Sequence, residues 1–357
     1  MDLSLPSNMS ILRNIFWKPY SRLFIIGDSV GWAIDEEARE LKKVADKLNI
    51  PAHLVKRVYF NISQVVHYAS QFSLKYESIY KKKHRISVDY YHGKPHQGES
   101  FRECFEALTK HYKDISKVRV SNKDMESLIK SSGIDPAKVM RIPIGIDTNI
   151  FTRTSPEKRL SARQNLDIPK QAIVIGSFQK DGVGWGEGNE PKLIKGPDIF
   201  LKVIEKLKLG IPNLWVLLSG PSRGYIKNGL DAIGIPYRHT YLKDSRELTR
   251  LYDAIDLYII SSREEGGPKS CLESMAKGVP VVTTAVGQCK DLVEHGKNAM
   301  MAPTDDVDKL YEFSLKVLKD ENVRERLINA GLVTAEENSY GAQLQLWKEY
   351  FKDLITS

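Results

Sequence analysis

Short apolar blocks recur along an otherwise polar chain, and their lengths are those of strands. RLFIIG (22–27) is compact and uncharged after its first residue, which predicts a strand buried on both faces; the charged, periodic stretch 35–48 predicts a helix after it. RISVDYYHG (85–93) and KVRVSN (117–122) are β-rich runs, each followed by a helical pattern, at 100–112 and 123–132. Strands alternating with helices imply an α/β domain with a doubly wound parallel sheet.

A second series of the same kind begins at AIVIGSF (172–178). A helix over 197–209, LWVLLSG (214–220), a strand around 239–242, a helix over 245–254, LYIISS (257–262), a helix over 270–277 and VPVVTT (279–284) complete it. Between the series, RIPIGIDTNIF (141–151) and TRTSPEKRL have turn chemistry and a shift in charge, which places the boundary near Asp147. The expected domains are therefore 1–147 and 148–339. The chain ends in helical patterns at 305–319, 323–338 and 340–354. In the last, Leu344, Trp347, Tyr350 and Phe351 share a face that can pack back onto the first domain. Ligands of open α/β sheets bind beyond the carboxyl ends of the strands, so two such domains facing each other would set the site in a central cleft.

Composition agrees with two globular domains: 357 residues, 41% hydrophobic and 27% charged, excluding collagen-like and disordered chains. No apolar run approaches the ~18 residues of a membrane span, and the N-terminus lacks the pattern of a signal peptide, so a cytoplasmic protein is expected. Cys104, Cys271 and Cys289 are too few and too scattered for a disulfide framework or a zinc site.

Charge divides unevenly. Residues 1–150 hold 24 Lys and Arg against 17 Asp and Glu; residues 151–357 hold 29 against 28. A basic first domain suggests an anionic partner, either an anionic membrane surface or a phosphorylated acceptor; nucleic acid is set aside because no binding motif accompanies the charge. The run Lys81, Lys82, Lys83 and Arg85 also reads as a solvated loop. Ile11, Ile15, Phe16 and Trp17 beside Arg13, Lys18 and Arg22 fit either peripheral contact with the inner face of a membrane or packing on the C-terminal helix.

The most informative stretch is SSREEGGPKSCLESMAKGVPVVTT (261–284). A strand ends, a loop carries Gly266, Gly267 and Pro268, and a helix starts near Ser270 with Glu273 in its first turn. Free N–H groups at a helix start favour phosphate, and glycines let a ligand approach the backbone. Glu265 and Glu273 bracket this pocket, and carboxylates are bidentate acceptors suited to the hydroxyls of a ribose and a sugar. Both acids also suit a helix N-terminus by charge alone. The glycines of GSFQKDGVGWGEGNEPKLIKG (176–196) match no nucleotide-loop motif and suggest a flexible lid.

Glu265 to Glu273, with seven residues between, matches the E-x7-E signature of retaining glycosyltransferases of GT-B fold and resembles glycosyltransferase family 4. IPIGIDTNIF (142–151), YDAIDLYIISS (252–262) and SMAKGVPVVTT (274–284) resemble further segments of that family. The resemblance implies that Glu273 holds the donor ribose and Glu265 the transferred sugar. It also implies that Lys195 neutralises the departing diphosphate. Many members carry Arg where this chain has Ser177, so Lys180 or Arg223 is expected to replace that cation. His92, after the strand SVDYY, is similar to the family's first-domain histidine contacting the sugar, whereas Asp28 and Ser29 occupy a first-loop position without the usual paired glycines.

The implied activity is transfer of a sugar from a nucleotide-diphosphate donor to an acceptor hydroxyl with retention, by a front-face route and without a metal or other cofactor. The acceptor is expected to be a glycan or lipid-linked molecule of cell-surface polysaccharide or glycolipid assembly. Two other readings stay open: a sugar-nucleotide epimerase of related fold, and a non-catalytic protein binding sugar nucleotides or glycans.

Overall fold

The computed structural model describes residues 18–28, 33–57, 63–76, 79–80, 83–242 and 245–355. Ile11, Arg13, Ile15, Phe16, Trp17, Ser29, Lys81 and Lys82, singled out above, lie outside the described residues. The chain forms two compact units, one reaching Ile144 and taking in the segment from Tyr340 onward, the other Gly145–Ser339. Among the described residues no helix is long and apolar enough to cross a membrane.

The first unit runs β1 (Leu23–Ile26), α1 (Ala33–Lys47), β2 (Ala52–Leu54), β3 (Val65–Tyr68), β4 (Arg85–Tyr90), α2 (Glu99–Lys110), β5 (Ile115–Val120), α3 (Lys123–Lys130) and β6 (Val139–Arg141). Its strands lie in the order β2-β1-β3-β4-β5-β6, with parallel pairing throughout. Leu23, Ile25 and Val65 are buried against Ala38, Leu41 and Ala45 of α1, so the apolar blocks and the periodic helix face make one core.

That core also takes Trp347, Tyr350 and Phe351 from the chain's last helix, and within it lies a cluster of charge. Asp89 on β4 pairs in register with Arg119 on β5, and His67 on β3 with Ser87 on β4. Arg119 lies 3.2 Å from Asp89 and 3.4 Å from Glu37, and donates to the carbonyls of Ile142 at 2.9 Å and Pro143 at 3.0 Å. His67 Nε2 lies 3.3 Å from Asp89, while the Tyr91 hydroxyl donates to the same carboxylate at 2.6 Å. The Arg119 guanidinium lies 4.8 Å from the Trp347 ring centroid, and the Tyr340 hydroxyl donates to Glu37. Burial alone would push the Asp89 carboxyl up; His67 and Arg119 beside it hold it below its ordinary value.

The second unit contains α4 (Pro156–Asn165), β7 (Ile173–Phe178), α5 (Pro197–Lys208), β8 (Leu214–Ser219), α6 (Gly224–Ala232), β9 (Tyr237–Thr240), α7 (Thr249–Ala254), β10 (Leu257–Ile260), α8 (Lys269–Lys277), β11 (Val281–Thr284), α9 (Cys289–Leu292), β12 (Met300–Ala302), α10 (Val307–Lys319) and α11 (Glu321–Glu337). α12 (Leu344–Lys352) belongs to the first unit. The strand order β12-β11-β10-β7-β8-β9 is that of a Rossmann sheet. From β7 the chain winds outward one way, then returns to β10 and winds outward the other. The switch point lies between β7 and β10, and the loops leaving those two strands carry Lys180, Lys195 and Glu265.

Candidate active site

The loop after β10 and the residues before α5 meet at the switch point. Lys195 Nζ lies 2.7 Å from Glu265 Oε2, and the Ser262 hydroxyl donates to Glu265 Oε1 at 2.9 Å. The two charged side chains are 24% and 13% exposed, a level that keeps both within reach of a ligand while shielding their pair from bulk solvent. Gly196 makes the approach possible. Its φ of 64° is left-handed, and a Cβ there would run into the carbonyl of Ser261. The Ser261 hydroxyl in turn donates to the Gly196 carbonyl at 2.8 Å. Arg263 ties the same two segments together through Asp198 at 2.8 Å, and reaches Asp305 at 2.6 Å.

α8 starts at Lys269, one residue earlier than the sequence predicts, with Pro268 as its N-cap residue. Gly267 faces the Gln288 side chain, which occupies the space a Cβ would need, and the Gln288 N–H donates to the Gly266 carbonyl at 3.0 Å. At Gly267 the space beside the Cα is thus taken up by the protein's own turn before α9. Glu273 is 5% exposed, and the buried Tyr252 hydroxyl donates to its Oε2 at 2.8 Å. Tyr252 packs edge-on against Phe151 and Phe178, so an aromatic floor fixes this carboxylate from below.

The long loop 179–196, expected as a flexible lid, is folded on itself. It forms a hairpin in which Gly182 bridges Pro191 and the Val183 N–H donates to the Glu190 carbonyl at 2.9 Å. The hairpin is fastened to the start of α6. Gly224 and Tyr225 donate their N–H groups to the carbonyls of Glu187 and Gly188 at 2.7 and 2.9 Å, and the Ser222 hydroxyl donates to those of Gly184 and Gly186. Gly182 and Gly188 press on the Ser222 carbonyl, where side chains would not fit.

Arg223 departs from its expected role as a donor-binding cation. Its side chain is fully buried; Nη1 donates to the carbonyls of Ser177, Gln179 and Ser219 at 2.7, 2.8 and 2.6 Å, and Nη2 to the Ser177 hydroxyl at 3.0 Å. Nε lies 2.9 Å from buried Asp181. Burial pushes the Asp181 carboxyl up and the Arg223 guanidinium down, so their contact offsets a desolvation cost. Arg223 pins the hairpin beneath the site, and Ser177 serves as one of its acceptors.

Lys180 remains at the surface of the same loop, its ammonium 4.6 Å from the Trp185 ring centroid. A third lysine, Lys192, was not singled out from sequence. Burial lowers its pKa first, and the charges of Lys195 and Lys180 lower it further while Glu265 opposes them, which marks all four as one electrostatic cluster. No local pattern announces Lys192, because the hairpin that brings it back is built from long-range contacts.

In the first unit, His92 follows β4 and is half-buried, its ring edge-on to Phe101 and Phe72 with centroids 5.3 and 6.4 Å away. Gln71 holds the backbone on both sides, donating to the His92 carbonyl at 2.6 Å and accepting from the Tyr91 and His92 N–H groups. Gly27 after β1 is needed by Asp35, whose carboxylate fills the space a Cβ would take. Among the described residues, no group of three or more His, Cys, Asp or Glu could hold a metal ion, and all three cysteines are free and buried.

Comparison with known proteins now gives this arrangement a class. Anabaena HepE in complex with UDP-glucose matches over 93% of this chain and 99% of its own, with a TM-score of 0.74 at 16% identity. Sucrose-phosphate synthase from Thermosynechococcus elongatus matches over 88% and 76%, with a TM-score of 0.65 at 17% identity. The fold is that of the GT-B glycosyltransferases.

Residues 191–333 match the family described as glycosyl transferases group 1. D-inositol 3-phosphate glycosyltransferase of Stackebrandtia nassauensis is 28% identical over 229 residues, 59% of this chain and 48% of that protein. The chain spans about half the length of the curated relatives it matches first, and the matched family segment opens just before Lys192 and Lys195 and contains both glutamates.

Proposed function

We propose that the protein is a retaining glycosyltransferase that moves a sugar from a nucleotide-diphosphate donor to an acceptor hydroxyl. The observation that carries this reading is the 2.7 Å Lys195–Glu265 pair at the switch point of the second sheet. Relatives whose names specify glycosyl transfer, and a fold neighbour bound to UDP-glucose, support the donor class.

Lys195 meets the diphosphate and stabilises the negative charge that grows as the sugar bond breaks. Glu265, positioned by Ser262, accepts from a hydroxyl of the sugar, and Glu273 accepts from the ribose. The diphosphate oxygen takes the acceptor's proton while the acceptor oxygen attacks on the face being vacated, which preserves the anomeric configuration. His92 is proposed as a contact to the sugar. Neither a metal nor another cofactor takes part. The acceptor is a glycan or a lipid-linked molecule, and the setting is surface polysaccharide or glycolipid assembly in the cytoplasm, at the inner face of a membrane.

The test is nucleotide release from UDP-, GDP- and ADP-sugars with a panel of acceptors, followed by the anomeric configuration of the product, with and without EDTA. Transfer with retention, indifferent to EDTA, is expected. An inverted product would refute the front-face route, strict metal dependence would refute the charge assignment, and binding without turnover would favour a non-catalytic sugar-nucleotide binder. Release of an isomerised donor without any acceptor would identify an epimerase.

A further inference from the structure

An exposed tryptophan stands on a firmly pinned hairpin. Trp185 is 62% exposed, at the tip of a loop whose base is fixed by Arg223, Ser222 and three backbone hydrogen bonds. What the indole does contact is the ammonium of Lys180, at 4.6 Å.

Lys180 follows Gln179, and the Gln179 side chain donates to the Lys195 carbonyl at 3.1 Å. The two lysines therefore stand on backbone segments that are tied to each other at the end of β7. Lysine carries its charge on a long flexible stem, unlike the planar and preorganised guanidinium of an arginine. A flexible cation stabilises a diphosphate well only if something else limits where it goes. The face of an indole, rich in π-electron density, does so without competing for the charge as a carboxylate would.

We propose that Trp185 is a positioning residue: it holds the Lys180 ammonium beside Lys195, so that the hairpin supplies the second diphosphate-binding cation. Lys192, exposed on the same hairpin and coupled electrostatically to both lysines, adds to the same positive region. This inference rests on the donor reading given above, and the test separates the two.

Binding of UDP, GDP, ADP, their nucleosides and inorganic pyrophosphate is measured by calorimetry on the full chain. The wild type and the variants Trp185→Leu, Trp185→Phe, Lys180→Met and Trp185→Leu with Lys180→Met are compared. Trp185→Leu is expected to weaken the preferred diphosphate and pyrophosphate by roughly two- to fivefold, the equivalent of an exposed cation–π contact, and to leave the nucleoside unchanged. Trp185→Phe restores most of that loss, and the double variant is no weaker than Lys180→Met alone.

Diphosphate binding unchanged in Trp185→Leu, equal losses for nucleoside and diphosphate, or additive losses in the double variant would each overturn the proposal while leaving the donor reading in place. Failure of the wild type to bind any of the three diphosphates would overturn the donor reading, and the role of Trp185 with it.

Discussion

Two clusters of charge occupy comparable sheets, and they are built in opposite ways. In the first unit Arg119, Asp89, Glu37 and His67 are all at least nine-tenths buried and lie against one another beneath Tyr340, Trp347 and Tyr350. In the second, Lys195 and Glu265 touch but stay partly open, with Lys180 nearby on a pinned hairpin. Charges that face one another in a sealed core are out of a ligand's reach; their work is to specify how that core closes. Charges gathered with a positive surplus at the carboxyl ends of strands await an anion. Arg223 belongs to the first kind although it lies in the second unit. Number of charges alone therefore says little, and the surplus of 24 basic over 17 acidic residues in positions 1–150 does not identify the site.

The contrast can be broken most forcefully at Arg119. Arg119→Ala leaves Asp89 and Glu37 buried without their cation, and a loss of about 3–5 kcal/mol in unfolding free energy is expected from denaturant titration. A change below about 1 kcal/mol would show that the network is not structural. A smaller effect is expected at Glu273→Ala, which removes a charge-assisted hydrogen bond to the ribose. Nucleotide affinity should fall by about 1.5–3 kcal/mol, the thermal midpoint should drop as well because the buried Tyr252 hydroxyl loses its acceptor, and unchanged affinity in calorimetry of the folded variant would remove Glu273 from the donor site.

A subtler test uses pH. The folded-state pKa of Asp89 lies below its unfolded value of about 3.9, so its stabilising contribution is complete above that value and fades as pH falls through the folded one. Asp89→Asn should flatten this acid limb of the stability curve, whereas Lys195→Ala should leave it as in the wild type. An identical acid limb in Asp89→Asn would sever the link between the network and acid stability.

Much of this was legible before the structure. The alternation of apolar strand blocks with periodic helices reveals the α/β class, because 2.0 and 3.6 residue periods are local properties. RLFIIG, AIVIGSF, LWVLLSG and LYIISS all contain strands where their pattern places them. The strands Ala52–Leu54, Val65–Tyr68, Val139–Arg141 and Met300–Ala302 escaped notice, three of them short and at or near sheet edges, the fourth interrupted by a histidine that serves the buried network. α6, with glycines at Gly224 and Gly229, carried too weak a helical signal.

The Lys195–Glu265 meeting was implied by motif, since each residue adjoins a strand or helix end of predictable type. What Arg223 does was not legible. A buried arginine bonded to three carbonyls looks, in sequence, like any basic residue near a phosphate site, and only tertiary packing separates them. The same holds for the loop's glycines, which suggested mobility and instead allow the hairpin to lie against Ser222.

Lys195 offers the most direct test, because the account gives this one side chain the charge that develops as the donor breaks. Nucleotide release by Lys195→Ala, measured against wild type at saturating donor alongside the thermal midpoint, should fall by about 10²–10³ with the midpoint nearly unchanged. Release at a near-normal rate from the well-folded variant would contradict the assignment of the switch point as the leaving-group site.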